Sequence, residues 1–466
     1  YHEWTVVTQV SRSWRMLAFD TKRLWNGISC DAKNSTSPWV DVYSTHSRPL
    51  NIEMGVDIEL DGSRSVVFNR IQKENYRVRK LSIRVFGSDD HRWIKLGKLG
   101  DWLGMEMPVL EQFEMVGDDG IGEEHLESWP LFDSRAPCLK SIHIFDFNLT
   151  LRSLPFTSIT SLTLWYSQEY SGSLSLPTLF DFLRISRLQS LDLRHALSSD
   201  HSHDEDHHTR RIPLPSLQSM TIYLPARQCL TLLSHILISR GCTTNICGFP
   251  PGRPDGTSAM DPREFFDQVP PLIIDDPTEI GSIDFRIEDE CITIELRRLD
   301  ELSEEGTCHH PSPIQTYFQT SGEGERNWVP SFSTFSGARW FSLEGLPHKP
   351  SAVVVREAIA VLAVLPSLKD VDLSIHVIPT LSSHLHDNPQ SFATLTSMII
   401  RGMEETHAPI GKLVRTLARR RELGGNEMAI SLIGNGEWTK AGSKVSKVLT
   451  RLKDEYTGDN EVPISP

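Results

Sequence analysis

Leu214-Pro215-Ser216-Leu217-Gln218-Ser219-Met220-Thr221-Ile222 decides the fold, because its wording returns twice in the chain. Ala136-Pro137-Cys138-Leu139-Lys140-Ser141-Ile142-His143-Ile144 precedes it, and Leu365-Pro366-Ser367-Leu368-Lys369-Asp370-Val371-Asp372-Leu373 follows it. All three share Pro-x-Leu-x-x-apolar-x-apolar. The final apolar pair alternates with polar residues, the period of a strand buried on one face only. The earlier leucine is placed to pack in the turn before that strand.

Outward from these copies, the apolar-x-apolar pair recurs as Leu50/Ile52, Leu81/Ile83, Phe113/Met115, Ile142/Ile144, Leu162/Leu164, Leu191/Leu193 and Met220/Ile222. It continues as Ile283/Phe285, Phe341/Leu343, Val371/Leu373, Met398/Ile400 and Ile430/Leu432. First members are separated by 31, 32, 29, 20, 29, 29, 63, 58, 30, 27 and 32 residues, so most steps lie near 29 and two are doubled. A period of this size marks stacked supersecondary units. Apolar-striped stretches at Leu176–Ile185, Arg227–Ile238, Val353–Leu365 and Ile410–Leu423 predict helices between strands. A conventional doubly wound α/β sheet shares this alternation. Its strands, however, are continuous apolar runs, and no glycine-rich phosphate turn follows any strand here.

The spacing and the Leu-x-x-Leu-x-Leu-like wording resemble the leucine-rich repeat in a degenerate, long-period form. The asparagine that usually follows the repeat strand is not in register. The resemblance implies an α/β solenoid of short parallel strands with helices on the convex face, binding partners on the concave face. In that register the residues following four consecutive pairs are Phe145, Trp165, Arg194 and Tyr223, side chains of the kind that dominate protein recognition. They are the candidate target-binding residues, with packing under a neighbouring loop as the alternative. Glu114, Asp192, Asp284 and Asp372 stand between buried pairs, against the single His143, which suits a basic or amphipathic partner segment.

The rhythm fails at residues 241–278 and 302–336, where proline, glycine and charge dominate, and these are expected to be irregular insertions. Between them Ile283–Ile287 and Cys291–Leu296 predict two strands joined by a hairpin at Glu288-Asp289-Glu290. Residues 456–466 are a polar tail expected to fray.

At the other end, Val7, Val10, Trp14 and Leu17 are spaced to share one helical stripe that Arg12 and Arg15 leave free. Val10-Ser11-Arg12-Ser13-Trp14-Arg15-Met16-Leu17-Ala18, closed by Leu24-Trp25, resembles the second half of an F-box, the helical module that docks onto the Skp-type adaptor of a cullin–RING ubiquitin ligase. The likeness covers about the first 25 residues, and Ser11 stands where a cysteine is common. It implies that Val7, Val10, Arg12, Trp14, Arg15, Leu17 and Trp25 bind the adaptor. Residues 1–37 would then be the C-terminal part of the helical module and 38–455 the repeat array. Pro38 opens a helical run through Tyr43, and Pro49–Met54 alternates like a strand. The same stretch also reads as an amphipathic cap closing the array.

Composition narrows the partners. Against 47 basic residues stand 61 acidic ones, a net charge of −14 that opposes long-range attraction to nucleic acid or an anionic membrane. The most apolar run, Ala358–Leu365, is far too short to span a bilayer. Seven scattered cysteines suggest reduced thiols, and the expected location is cytoplasmic or nuclear. The run His201-Ser202-His203-Asp204-Glu205-Asp206-His207-His208 carries metal-ligand chemistry but reads better as a solvated loop. Cys242 with Cys247, and Cys308-His309-His310, lack finger spacing. No nucleophile elbow, phosphate loop, His-Glu-x-x-His pair or dinucleotide fingerprint is found, so no cofactor and no catalysis are expected. Taken with the resemblances, the expectation is a substrate-recognition subunit of a Skp–cullin–F-box ligase, of a kind abundant in mushroom-forming fungi. The alternative is a repeat scaffold with no ligase role.

Overall fold

The computed structural model describes residues 7–31, 38–59, 71–86, 103–117, 131–132, 135–147, 157–167, 174–198, 211–239, 241–249, 280–287, 291–298, 314–319, 337–344, 352–363, 365–388, 391–403 and 429–434. It also places isolated helical residues between 265 and 273 and between 412 and 419. The chain is mixed α/β, built on parallel strands, and divides into two compact units. Residues 1–224 and 234–242 form the first, and 225–233 and 243–466 the second.

The strands of the first unit are β1 (Gly27–Asp31), β2 (Ile52–Glu59), β3 (Val78–Phe86), β4 (Gln112–Gly117), β5 (Ser141–Phe145), β6 (Ser161–Trp165), β7 (Ser190–Arg194), β8 (Ile212–Leu214), β9 (Ser219–Pro225) and β10 (Ile236–Ile238). From β1 to β7 and on to β9 they lie side by side in chain order, each parallel to the next. One register runs through β2 to β9: Met54, Leu81, Phe113, Ile142, Leu162, Leu191 and Met220 are lateral partners. Val56, Ile83, Met115, Ile144, Leu164, Leu193 and Ile222 form the second such row, and no member of either row is more than 2% exposed. Each buried side chain of this size stabilises the fold by about 1.5–3 kcal/mol relative to leaving it in water.

Several expectations shift in register or type. Leu81 pairs laterally with Met54, not with a member of the Leu50/Ile52 pair, and Leu50 lies in the turn before β2. Residues 50–58 alternate throughout, so pairing alone selects among the possible registers. β1 falls within residues expected to belong to the helical module, yet it is a strand pairing parallel with β2. The helix expected to reach Ile238 stops at His235, because Ile236–Ile238 pairs parallel with β8 in a separate two-stranded sheet. The single amphipathic helix through Val7 and Leu17 is broken at Ser11, whose extended backbone lets its hydroxyl accept from Trp14 N at 3.2 Å. Helix α1 (Val7–Val10) is thereby separated from α2 (Arg12–Asp20).

Helix α3 (Pro38–His46) is tied to the segment before β3 by hydrogen bonds between its Ser44 and that segment's buried Arg77–Glu74 ion pair. Arg77 Nε donates to Glu74 Oε2 at 2.6 Å, and its other nitrogens donate to the carbonyls of Ser44 and Leu50 and to the Ser47 hydroxyl. Arg77 thus satisfies the helix C-terminus, where carbonyls lack partners. Burial alone would push the Glu74 carboxyl up; hydrogen bonds from Ser44 and Arg77 and the charges of Arg77 and Arg48 hold it below the usual range.

In the second unit β11 (Thr243–Phe249) pairs parallel with β14 (Ile314–Gln319), which lies antiparallel to β13 (Cys291–Arg298). β13 is antiparallel to β12 (Ile280–Ile287), as the hairpin reading expects, although residues 288–290 lie outside the described residues. β12 then begins a parallel series through β15 (Trp340–Glu344), β16 (Asp370–Ser374), β17 (Ser397–Met403) and β18 (Ala429–Gly434). The stretches expected to be irregular therefore each contain a strand, β11 within 241–278 and β14 within 302–336. Helices occupy Leu176–Ile185, as the sequence predicts, together with Ala226–His235, Ala352–Ala363 and Ile378–Asp387. Described helical residues between Lys412 and Arg419 fall inside the predicted Ile410–Leu423 helix.

Replacing Arg77 by leucine leaves the Glu74 carboxylate buried without its cation, a change expected to cost about 3–5 kcal/mol. Urea unfolding monitored by circular dichroism measures it, and Glu74→Leu in the same background is expected to restore part of the loss.

Candidate functional site

The alternation that buries one row of each pair leaves the polar neighbours on the opposite, open face of the first unit. Across β4 to β9 three lateral rows result. Gln112, Ser141, Ser161, Ser190 and Ser219 form the first, and Glu114, His143, Thr163, Asp192 and Thr221 the second. Phe145, Trp165, Arg194 and Tyr223 stand in the third, so the structure brings together the four target-binding candidates.

Three of these side chains interlock around Trp165. The Phe145 and Trp165 ring centroids are 5.6 Å apart, and the Arg194 guanidinium sits 4.6 Å from the Trp165 ring centroid. Arg194 is held from below by Asp192, with Nε to Oδ1 at 3.0 Å and Nη2 to Oδ2 at 3.1 Å. Tyr223 meets the His195 ring at 4.8 Å between centroids. Trp165 keeps 41% of its surface in solvent. A fork-shaped ion pair beneath a cation stacked on an indole holds the row in one conformation, which lowers the entropy lost on binding.

Two histidines on this face titrate below the usual imidazole range. Burial pushes His195 down to about 4. Burial also lowers His143, with Lys80 adding to the effect and Glu114 and Asp192 opposing it, and His143 Nε2 lies 2.6 Å from Ser141 Oγ. His195 and Asp146, each directly after its strand, have φ of 52° and 48°, and both N–H groups bond the carbonyl of the next strand.

Charge pairing recurs in the second unit, where Asp372 is 1% exposed and receives Arg401 from the adjacent strand at 2.6–2.9 Å. Asp372, expected to carry free negative charge, is therefore neutralised. Arg401 carries no sequence signal, because it lies 29 residues from its partner. The side chain of Asp284 lies outside the described residues.

The N-terminal candidates divide. Val10, Trp14 and Leu17 are 68%, 52% and 56% exposed, Met16 is exposed beside them, and Arg12 and Arg15 are also at the surface. The side chain of Val7 lies outside the described residues. Trp25 departs from the expected surface role: it is fully buried, donates from Nε1 to the Ala18 carbonyl at 2.7 Å, stacks on Phe19 and meets Tyr43 edge-on. An indole with its N–H satisfied inside the chain gains more from burial than from exposure. Trp25 thus fastens α2 to α3.

Among the described residues no helix is long and apolar enough to cross a membrane, and no group of three His, Cys, Asp or Glu is placed to hold a metal ion. Residues 201–208 and 308–310 lie outside the described residues, and Cys242 and Cys247 are both buried. Comparison with family models and with curated proteins finds no match to this chain.

His195 titrates lower in the fold than in the unfolded chain, so its contribution to stability is complete above about pH 6.5 and is lost as pH falls through about 4. His195→Asn, which tolerates the left-handed backbone, is expected to flatten the fall in Tm between pH 7 and pH 5. Burial raises Asp370, and that effect is common to both proteins and cancels in the comparison.

Proposed function

We propose that this protein is a leucine-rich-repeat-like substrate receptor of a Skp–cullin–F-box ubiquitin ligase, working in the cytoplasm or nucleus. In this reading α2 docks the adaptor and the open face of the first unit holds a target protein. The observation that carries it is the solvent-facing Val10, Trp14 and Leu17 beside Arg12 and Arg15, on residues that resemble the adaptor-binding half of an F-box. Apolar exposure of this kind marks an interaction site. Parallel strands in chain order, with a buried pair in each, support the repeat reading. The ordered Phe145–Trp165–Arg194–Tyr223 row supports target capture. The receptor performs no chemistry and supplies proximity for ubiquitin transfer.

Burial of Trp25 against Phe19 and Tyr43 favours a second reading, in which the N-terminal helices cap a repeat scaffold that needs no adaptor. Adaptor binding separates the two. Trp14→Asp with Leu17→Asp is expected to abolish adaptor co-purification while leaving Tm unchanged, since both side chains are already half in water. Failure of the unaltered protein to bind adaptor at micromolar concentration sinks the ligase reading. Trp165→Ala with Tyr223→Ala is expected to weaken target capture at least about tenfold, about 1.4 kcal/mol, without unfolding the protein. Labelling of Ser141 by a fluorophosphonate would instead point to an enzyme.

A further inference from the structure

On the open face of β1 to β4 lies a pocket of about 310 Å³, lined by Glu53, Gly55, Lys80, Ser82, Arg84 and Glu114 among others. Its floor is a lateral row of small residues, Ser29, Gly55 and Ser82, one from each of β1, β2 and β3. Glu53 and Lys80 are lateral neighbours on one side, Asp57 and Arg84 on the other, and Glu114 of β4 follows Ser82 in the floor row.

The fold does not require glycine in this floor. Gly27 and Gly55 are both outside the left-handed region; a Cβ added at Gly27 meets nothing within 4 Å, and at Gly55 only the Ile28 carbonyl oxygen at 4.0 Å. A glycine inside a strand costs backbone entropy and packs nothing, and such residues mark places where a ligand or another backbone comes close. At Gly55 the missing side chain is the space of the pocket.

Charge defines the occupant. Among the described residues neither Lys80 nor Arg84 has a carboxylate at ion-pair distance. With the Ser82 hydroxyl between them they offer donors for an anion centred on β3. On β2, Glu53 and Asp57 lie one strand spacing, about 4.8 Å, from Lys80 and Arg84, and on β4 Glu114 lies the same distance from Ser82. A lone anion would be repelled by those carboxylates, and a lone cation by Lys80 and Arg84. A ligand carrying both signs in the order plus, minus, plus meets the acids of β2, the bases of β3 and the acid of β4 with their opposites.

We propose that this pocket binds a polypeptide segment in which one carboxylate is flanked by basic side chains on the same face, as in Lys-x-Asp-x-Lys. In an extended segment alternate side chains repeat at about 6.6 Å, and flexible lysine stems absorb the difference from the strand spacing. The inference rests on the open face being a recognition surface, and it is independent of the adaptor.

The test titrates the blocked peptide Lys-Gly-Asp-Gly-Lys, and its charge-reversed counterpart Asp-Gly-Lys-Gly-Asp, into the protein at low salt. The first is expected to bind at least about tenfold more tightly than the second, and to weaken as salt rises. Gly55→Val is expected to retain Tm and lose at least about tenfold in affinity, and Lys80→Ala with Arg84→Ala to lose as much. Equal affinity for the two peptides, binding of neither, or full affinity in folded Gly55→Val overturns the proposal. Peptide failure with target capture still dependent on Trp165 rejects this pocket alone, whereas loss of both rejects the open face as a recognition surface.

Discussion

Lateral register is the constraint on which the first unit depends. Each of β2 to β7, and β9 after them, contributes two apolar side chains to a face closed to water, and each neighbour aligns its own two beside them. A slip of one residue would turn both into solvent and bring Asp192 or His143 inside. The penalty for burying an unpaired charge makes that arrangement inaccessible. The rows of the open face are therefore fixed as a consequence of the core: Phe145, Trp165, Arg194 and Tyr223 are aligned because Ile144, Leu164, Leu193 and Ile222 are.

Upon that frame, two kinds of surface arise from what occupies the open positions. Toward β9 the third row is aromatic and cationic and closes on itself through the Arg194 contacts to Trp165 and Asp192. Toward β1 the floor row shrinks to Ser29, Gly55 and Ser82, and the flanking charges enclose a pocket. Stacked rings offer a pre-ordered, low-entropy contact, while the pocket offers charge selection. Together they would let one sheet face recognise both a hydrophobic anchor and a charged segment. At the N-terminus tryptophan serves two ends. Trp25 binds the helices to one another, while Trp14 stands half in water.

The spacing of the apolar pairs, read along the chain, was sufficient to place β3 to β7 and β9, since strand alternation and a steady period survive any tertiary arrangement. It also placed the hairpin of β12 and β13 and the helix Leu176–Ile185. Four aromatic or cationic residues were legible as neighbours because they share a register with those pairs. What the residues could not choose was which alternating pair of 50–58 aligns with Leu81, since every choice buries similar side chains. Nor could they reveal β1, whose Gly27-Ile28-Ser29-Cys30-Asp31 has little apolar weight and is a strand because β2 offers it an edge.

Local pattern thus determined an α/β chain whose strands alternate apolar and polar positions, because period-two alternation is a property of the backbone itself. Tertiary structure alone decided the pairings that depend on distant partners. Arg77 reaches helix α3 across some thirty residues, Arg401 finds Asp372 from the next strand, Trp25 turns inward against Phe19 and Tyr43, and Gly55 opens a pocket between charges from three strands. Each of these contacts is a matter of geometry between segments, and no window of sequence contains both sides of it.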